Sequence, residues 1–252
     1  MSAAVGTVLL ALLVTGWAVL DGAVQGVGAT LLHERDPGGN NRRREPTERR
    51  AVLAAVGPLL LPGGAWLVAG VAVLVGVFPQ TAGVLMEAAY PVVITLVGSW
   101  MLRGAGIWLR GRRPGPVWRD VWDVVLVVAS IVLAGSWGAL LGVAWGSGPA
   151  ALALGIVAVV VTRLHGDAVV AWRRRRTGPV PVIITSVMIT APVVGTAVAA
   201  WPELVGGGIS AQAVTALGIV AIVVLPVLVA LLVRAWRLVS RPLSTTGQAR
   251  YR

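Results

Sequence analysis

Cysteine and lysine are both absent from the 252 residues, histidine occurs twice and phenylalanine once. Without cysteine there can be no disulfide, no iron–sulfur cluster and no thiolate ligand to haem. Two histidines do not make a metal centre from this chain alone, so any redox cofactor has to come from elsewhere. Charge is scarce as well: 12% of the residues are charged and 57% are hydrophobic, a balance that excludes an ordinary soluble domain. No nucleotide-binding glycine loop, HExxH helix, nucleophile elbow or usefully spaced carboxylate pair is present. What is abundant is apolar sequence interrupted by arginine.

Apolar runs long enough to cross a bilayer fall at roughly 3–32, 51–77, 79–102, 121–146, 150–172, 179–201 and 211–236. The expected fold is therefore all-α, a polytopic transmembrane bundle of about seven spans forming one domain over 1–236, followed by a basic tail at 237–252. The first run lacks a basic start and is too long for the apolar core of a cleavable signal, so it is expected to stay as a span. All 21 basic residues are arginines, and they gather in or beside one set of connections: "HERDPGGNNRRREPTERR", "RGRRPGPVWRD", "RRRRTG" and the tail. The alternate turns, "FPQT", "GSGP" and "PELVGGGIS", have none. The positive-inside rule then puts the N-terminus outside and the C-terminus in the cytoplasm. The net charge of +11 is read as an orientation signal and an anchor to anionic lipid headgroups of the membrane, not as a nucleic-acid site. The preference for Arg, Ala, Val and Gly suggests a GC-rich genome and hence a bacterial cytoplasmic (inner) membrane.

Small residues repeat at helical spacing, Ala18, Gly22 and Gly26 in the first span and Gly138, Gly142 and Gly146 in the fourth, which lets backbones approach closely. Pro58, Pro62, Pro91, Pro192 and Pro226 are expected to bend their spans. Two acids, Asp21 and Glu87, lie well inside apolar runs. A carboxylate at mid-depth costs about 3 kcal/mol on insertion scales, so it faces protein or water. Asp21 shares a helical face with Trp17, Gln25 and Gly28; a proton pathway and a structural hydrogen bond are both open to it. Glu87 is a further candidate for that polar network, or a residue near the outer surface. His33 and His165 fall near the cytoplasmic boundary, where hydrogen bonding to backbone or water is expected instead of metal ligation. Most of the eleven tryptophans fit an interfacial belt.

The order of several segments resembles subunit II of cytochrome bd-type quinol oxidases. "GWAVLDGAVQGVG", carrying Gly16, Asp21, Gly22 and Gly26, is similar to that family's first-helix signature. "TERRAVLAAVGP", with Arg49 and Arg50, is similar to its T-E-R-R entry to helix two, and Trp66 begins a matching tryptophan–leucine pair. Arg103 and Arg110 in "LRGAGIWLR", Trp122 and Asp123 in "VWRDVWD", and His165 and Gly166 in "RLHGD" resemble the family's helices three, four and five. The final span is similar to the last helix of full-length members. The resemblance implies a complex that oxidises quinol and reduces dioxygen, with haem b and haem d in a partner, subunit I. This chain would bind no cofactor itself, catalyse nothing alone, and give structural support with a proton or water route.

Three departures stand out. Leu61, Val24 and Trp108 occupy positions where the resemblance leads one to expect acids. About two family helices are missing between Trp201 and the last span, so the chain reads as a shortened, divergent relative. Two alternatives follow: a non-enzymatic membrane scaffold or assembly protein descended from that subunit, and a small-solute or proton transporter.

Overall fold

The computed structural model describes residues 3–35, 40–146, 148–206 and 209–240. Seven of its helices are long and apolar enough to cross a membrane: α1 (Ala3–Ala29), α2 (Pro46–Val77), α4 (Tyr90–Leu109), α5 (Pro116–Ala144), α6 (Gly148–Arg173), α7 (Val180–Ala199) and the composite span Ala211–Val239. Short helices α3 (Pro79–Ala88) and α8 (Trp201–Gly206) sit at the arginine-poor end. The last span is built from α9 (Ala211–Ile219), a π turn over Val220–Val224 and α10 (Leu225–Val239). Pro226 follows that turn, and without an N–H it cannot continue a regular ladder. The chain is a multi-pass membrane protein.

The third apolar run divides differently from the expectation of one span over 79–102. Pro79 and Pro91 each sit in the first turn of a helix, where the missing N–H costs nothing, and the backbone breaks at Ala89 (φ −113°, ψ 17°). The membrane-length helix starts at Tyr90 and runs to Leu109, so Arg103 lies inside it and not beyond its end. Gly146 also departs from expectation: α5 ends at Ala144, and Gly146 takes φ +76° in the turn with nothing packed on it. Arg241, Arg250 and Arg252 of the expected basic tail lie outside the described residues.

α1 is the central helix, packed against α2, α5, α6 and α7, and glycines set its closest approaches. A Cβ on Gly26 would overlap the Thr162 carbonyl of α6, and one on Gly166 would overlap Gly26 and Val27 in return. On the other side of α6, Gly138 and Gly142 of α5 fit against Leu154 and Ala151 in the same way. A two-stranded hairpin that periodicity does not reveal, β1 (His33–Arg35) with β2 (Asn41–Arg43), joins α1 to α2 and pairs His33 with Arg43.

Arg173 ties the last span to the rest. Pro58 leaves the Ala54 carbonyl without its helical donor, and Arg173 Nη1 lies 3.4 Å from that oxygen while also reaching the carbonyl of Ala55. The same guanidinium donates to the carbonyls of Leu238 and Val239, both at 3.1 Å, at the open end of α10. One side chain thus reaches carbonyls of two helices, among them those of Ala54, Leu238 and Val239, which their own ladders leave free.

Candidate functional site

The apolar core falls into two clusters. One, around Leu13, Trp17, Trp66 and Val161, fills the arginine-poor half; the other, around Val24, Val52, Leu59 and Val169, fills the arginine-rich half. Asp21 on α1, Gly63 on α2 and His165 on α6 fall between the two clusters along their helices, and this polar layer is the first candidate site.

Asp21 is 1% exposed. Its Oδ1 accepts from Arg103 Nη2 at 2.6 Å and its Oδ2 from Gln25 Nε2 at 2.8 Å. Gly63 lies against the backbone of Asp21, where a Cβ would come within 3.5 Å. The helical spacing that placed Gln25 beside Asp21 is realised; Arg103, 82 positions away, is the partner that spacing could not supply. Both members of the ion pair are buried. Arg103 Nε and Nη1 and Gln25 Oε1 find no partner among the described residues, which leaves hydrogen-bonding capacity in a layer otherwise closed. Arg103 also borders a groove of about 200 Å³ between α2 and α4, lined by Leu60, Gly64, Trp100, Met101, Gly104 and Ile107.

His165 lies deeper than a headgroup-level residue, at 1% exposure. Its Nδ1 is 2.8 Å from Thr185 Oγ1 and its Nε2 is 3.2 Å from the carbonyl oxygen of Val19. Both ring nitrogens are therefore engaged, joining α6 to α7 and to α1. His33 is exposed on β1. Among the described residues no group of three or more His, Cys, Asp or Glu could hold a metal ion. His165, with both ring nitrogens engaged by protein atoms, has none left for a haem iron in this arrangement.

A second charge cluster sits at the arginine-rich end. Asp123 on α5 is fully buried, accepts from Arg49 Nη1 of α2 at 2.9 Å, and takes a two-pronged contact from Arg110, just past α4, whose Nη2 is 3.2 Å from Oδ2 and whose Nε reaches Oδ1. Arg49 Nη1 also reaches Asp120 at 2.6 Å, and Arg49 Nε donates to the Arg44 carbonyl at 3.0 Å. Sequence reading singled out Arg49, Arg110, Trp122 and Asp123 only through the family resemblance; here three of them form one ion network binding α2, α4 and α5, with Trp122 edge-on to Trp118 at 5.7 Å. The hairpin above adds exposed pairs. Glu48, by hydrogen bond and then by charge, raises the pKa of Arg42, though such exposed pairs contribute little to stability.

The remaining candidates separate. Trp66 is buried over Gly16, where a Cβ would collide with its ring, and Gly22 packs beside Ile189. Arg50 is exposed at the mouth of a cavity beside Arg49. Glu87 is exposed on α3, at the opposite end of the bundle from the arginines and apart from the Asp21 layer.

Residues 2–166 match the family model described as cytochrome bd terminal oxidase subunit II. The chain is similar to cytochrome bd ubiquinol oxidase subunit 2 of Bacillus subtilis, at 30% identity over 126 residues, or 50% of this chain and 35% of that protein. It is similar to cytochrome bd-I ubiquinol oxidase subunit 2 of Escherichia coli K12 at 27% identity over 124 residues, or 49% of this chain and 31% of that protein. These matches thus span about a third of the length of the curated relatives.

Proposed function

Since the chain belongs to the cytochrome bd terminal oxidase subunit II family, we propose that it is the non-haem membrane subunit of a quinol:oxygen oxidoreductase. It packs against a haem-bearing subunit I in a bacterial cytoplasmic membrane, with its arginine-rich end in the cytoplasm. Haem b and haem d, held by that partner, supply the electron transfer and oxygen chemistry. The observation that carries this reading is that the family match runs to Gly166 and so takes in Asp21, Arg103, Asp123 and His165.

The role of Asp21 in this reading is to close the middle of the bundle. Both of its oxygens accept a hydrogen bond, and one of the two donors is the guanidinium of Arg103, with which Asp21 forms a buried ion pair. That arrangement favours a counter-ion over a proton carrier. Purification of a tagged chain in mild detergent tests the assignment: a co-purifying membrane partner with b and d haem absorbance is expected, and colourless protein without a partner would overturn it.

A second reading, a scaffold or assembly protein that keeps the fold without supporting oxygen reduction, draws support from Leu61 and Trp108. They stand where the resemblance leads one to expect acids, and they are 69% and 62% exposed on the bundle surface. The same purification separates the two, since a scaffold would bring down a partner that carries no haem.

A further inference from the structure

The arginine-rich end holds a cavity of about 270 Å³ walled by α2, the end of α4 and the start of α5. Six arginines line it against three carboxylates. Two of those carboxylates, Asp120 and Asp123, are already engaged by Arg49 and Arg110, with Arg43 at 3.8 Å from Asp120. Arg50 and Arg119 line the same cavity and make no ion pair among the described residues. The N-terminus of α5 borders it at Pro116, which has no N–H to give, and its N-cap, Gly115 at φ +132°, makes no side-chain cap. Unpaired guanidiniums at the positive end of a helix dipole make a site for an oxyanion.

The position of the cavity says which oxyanion. Arg50 is followed directly by the apolar run of α2, and Arg119 and Asp120 directly precede that of α5, so the cavity lies at the boundary between headgroups and hydrocarbon. Trp118 and Trp122 stand on the same turns of α5, as indoles do at that level. On the same two helices, between α2 and α4, lies the groove of about 200 Å³ lined by Leu60, Trp100, Met101 and Ile107, a mainly apolar slot whose one charged lining residue, Arg103, is paired with Asp21. A basic head site with a mainly apolar slot on the same helices suits an amphiphile with one anionic phosphodiester. We propose that this cavity binds the headgroup of an anionic phospholipid, with an acyl chain descending along the α2–α4 groove. The site goes beyond the oxidase reading and does not depend on it.

Native mass spectrometry of the full-length protein, with any partner that accompanies it, tests the site using added phosphatidylglycerol, phosphatidylcholine or inorganic phosphate. Phosphatidylglycerol is expected to be retained in preference to phosphatidylcholine. The Arg50→Gln/Arg119→Gln variant should lower that retention roughly tenfold or more. The Arg112→Gln/Arg113→Gln variant removes the same charge from arginines stacked on Trp108 and Trp118 outside the cavity and should leave retention unchanged. Equal retention of the two lipids, an equal loss in both variants, or displacement of phosphatidylglycerol by millimolar inorganic phosphate would each overturn the proposal. If the first variant does not fold, the comparison of the two lipids on the unaltered protein still decides.

Discussion

Asp21 and Arg103 illustrate how a charge survives inside a membrane bundle. Each alone would be an uncompensated ion in a low-dielectric layer; together they neutralise each other, and Gln25 takes the second carboxylate oxygen. Breaking the pair from one side is therefore worse than removing it. Asp21→Asn and Arg103→Gln are each expected to lower stability in detergent by about 3–5 kcal/mol, whereas the combined Asp21→Asn/Arg103→Gln variant should lose clearly less than the sum of the two. Thermal unfolding of the four proteins measures the coupling, and purely additive losses would argue against the ion pair. Half of this site was legible in the sequence: Gln25 follows Asp21 by one helical turn, a relation that spacing alone fixes. Arg103 was not, because its partner is on another helix and because the expected span ended at Leu102, which left the arginine outside. The depth of the two residues held the missing signal. Asp21 lies eight residues from the end of α1 and Arg103 six from the end of α4, so at 1.5 Å per residue both sit about 10 Å inside the same end of the bundle.

At the scale of elements, close backbone approach is the main organising device. Gly26 and Gly166 face each other across α1 and α6, with no room for a Cβ on either. Gly166→Ala is expected to force the two helices apart and to cost about 1–3 kcal/mol, as overpacking does. Gly98→Ala on α4, where the added carbon meets nothing within 4 Å, should be neutral or slightly stabilising through helix propensity. Comparing the unfolding temperatures of the two variants checks the contrast, and an equal response would mean that the crossing is not tightly packed. Spacing found the small-residue faces of α1 and α5 but also enrolled Gly146, since an i, i+4, i+8 pattern does not reveal where the helix stops. The break at Ala89 escaped for the opposite reason: the sequence across it stays apolar, and only the proline at the start of α4 marks the new helix. The β1–β2 hairpin sits in a polar loop with no hydrophobic alternation, so no period announced it.

For the whole molecule, the asymmetry of arginine makes a claim about orientation that can be checked directly. The connections leaving α1, α4 and α6 carry arginine, as does the C-terminal turn of α10 with Arg237, whereas those leaving α2 and α5 do not. If the basic end faces the cytoplasm, Thr177, exposed after α6, is inside, and Gln80, exposed on α3, is outside. The chain contains no cysteine, so a single introduced thiol reports without background. In intact spheroplasts, the Gln80→Cys variant should react with a membrane-impermeant maleimide, and the Thr177→Cys variant should react only after lysis. The reverse labelling would invert the bundle. It would also move the basic cavity away from the anionic cytoplasmic leaflet, where each arginine near the surface gains about 1 kcal/mol from negative lipid. Orientation and lipid binding are thus linked by the same arginines: one set of residues both chooses the side of the membrane on which this end folds and selects the headgroup it meets there.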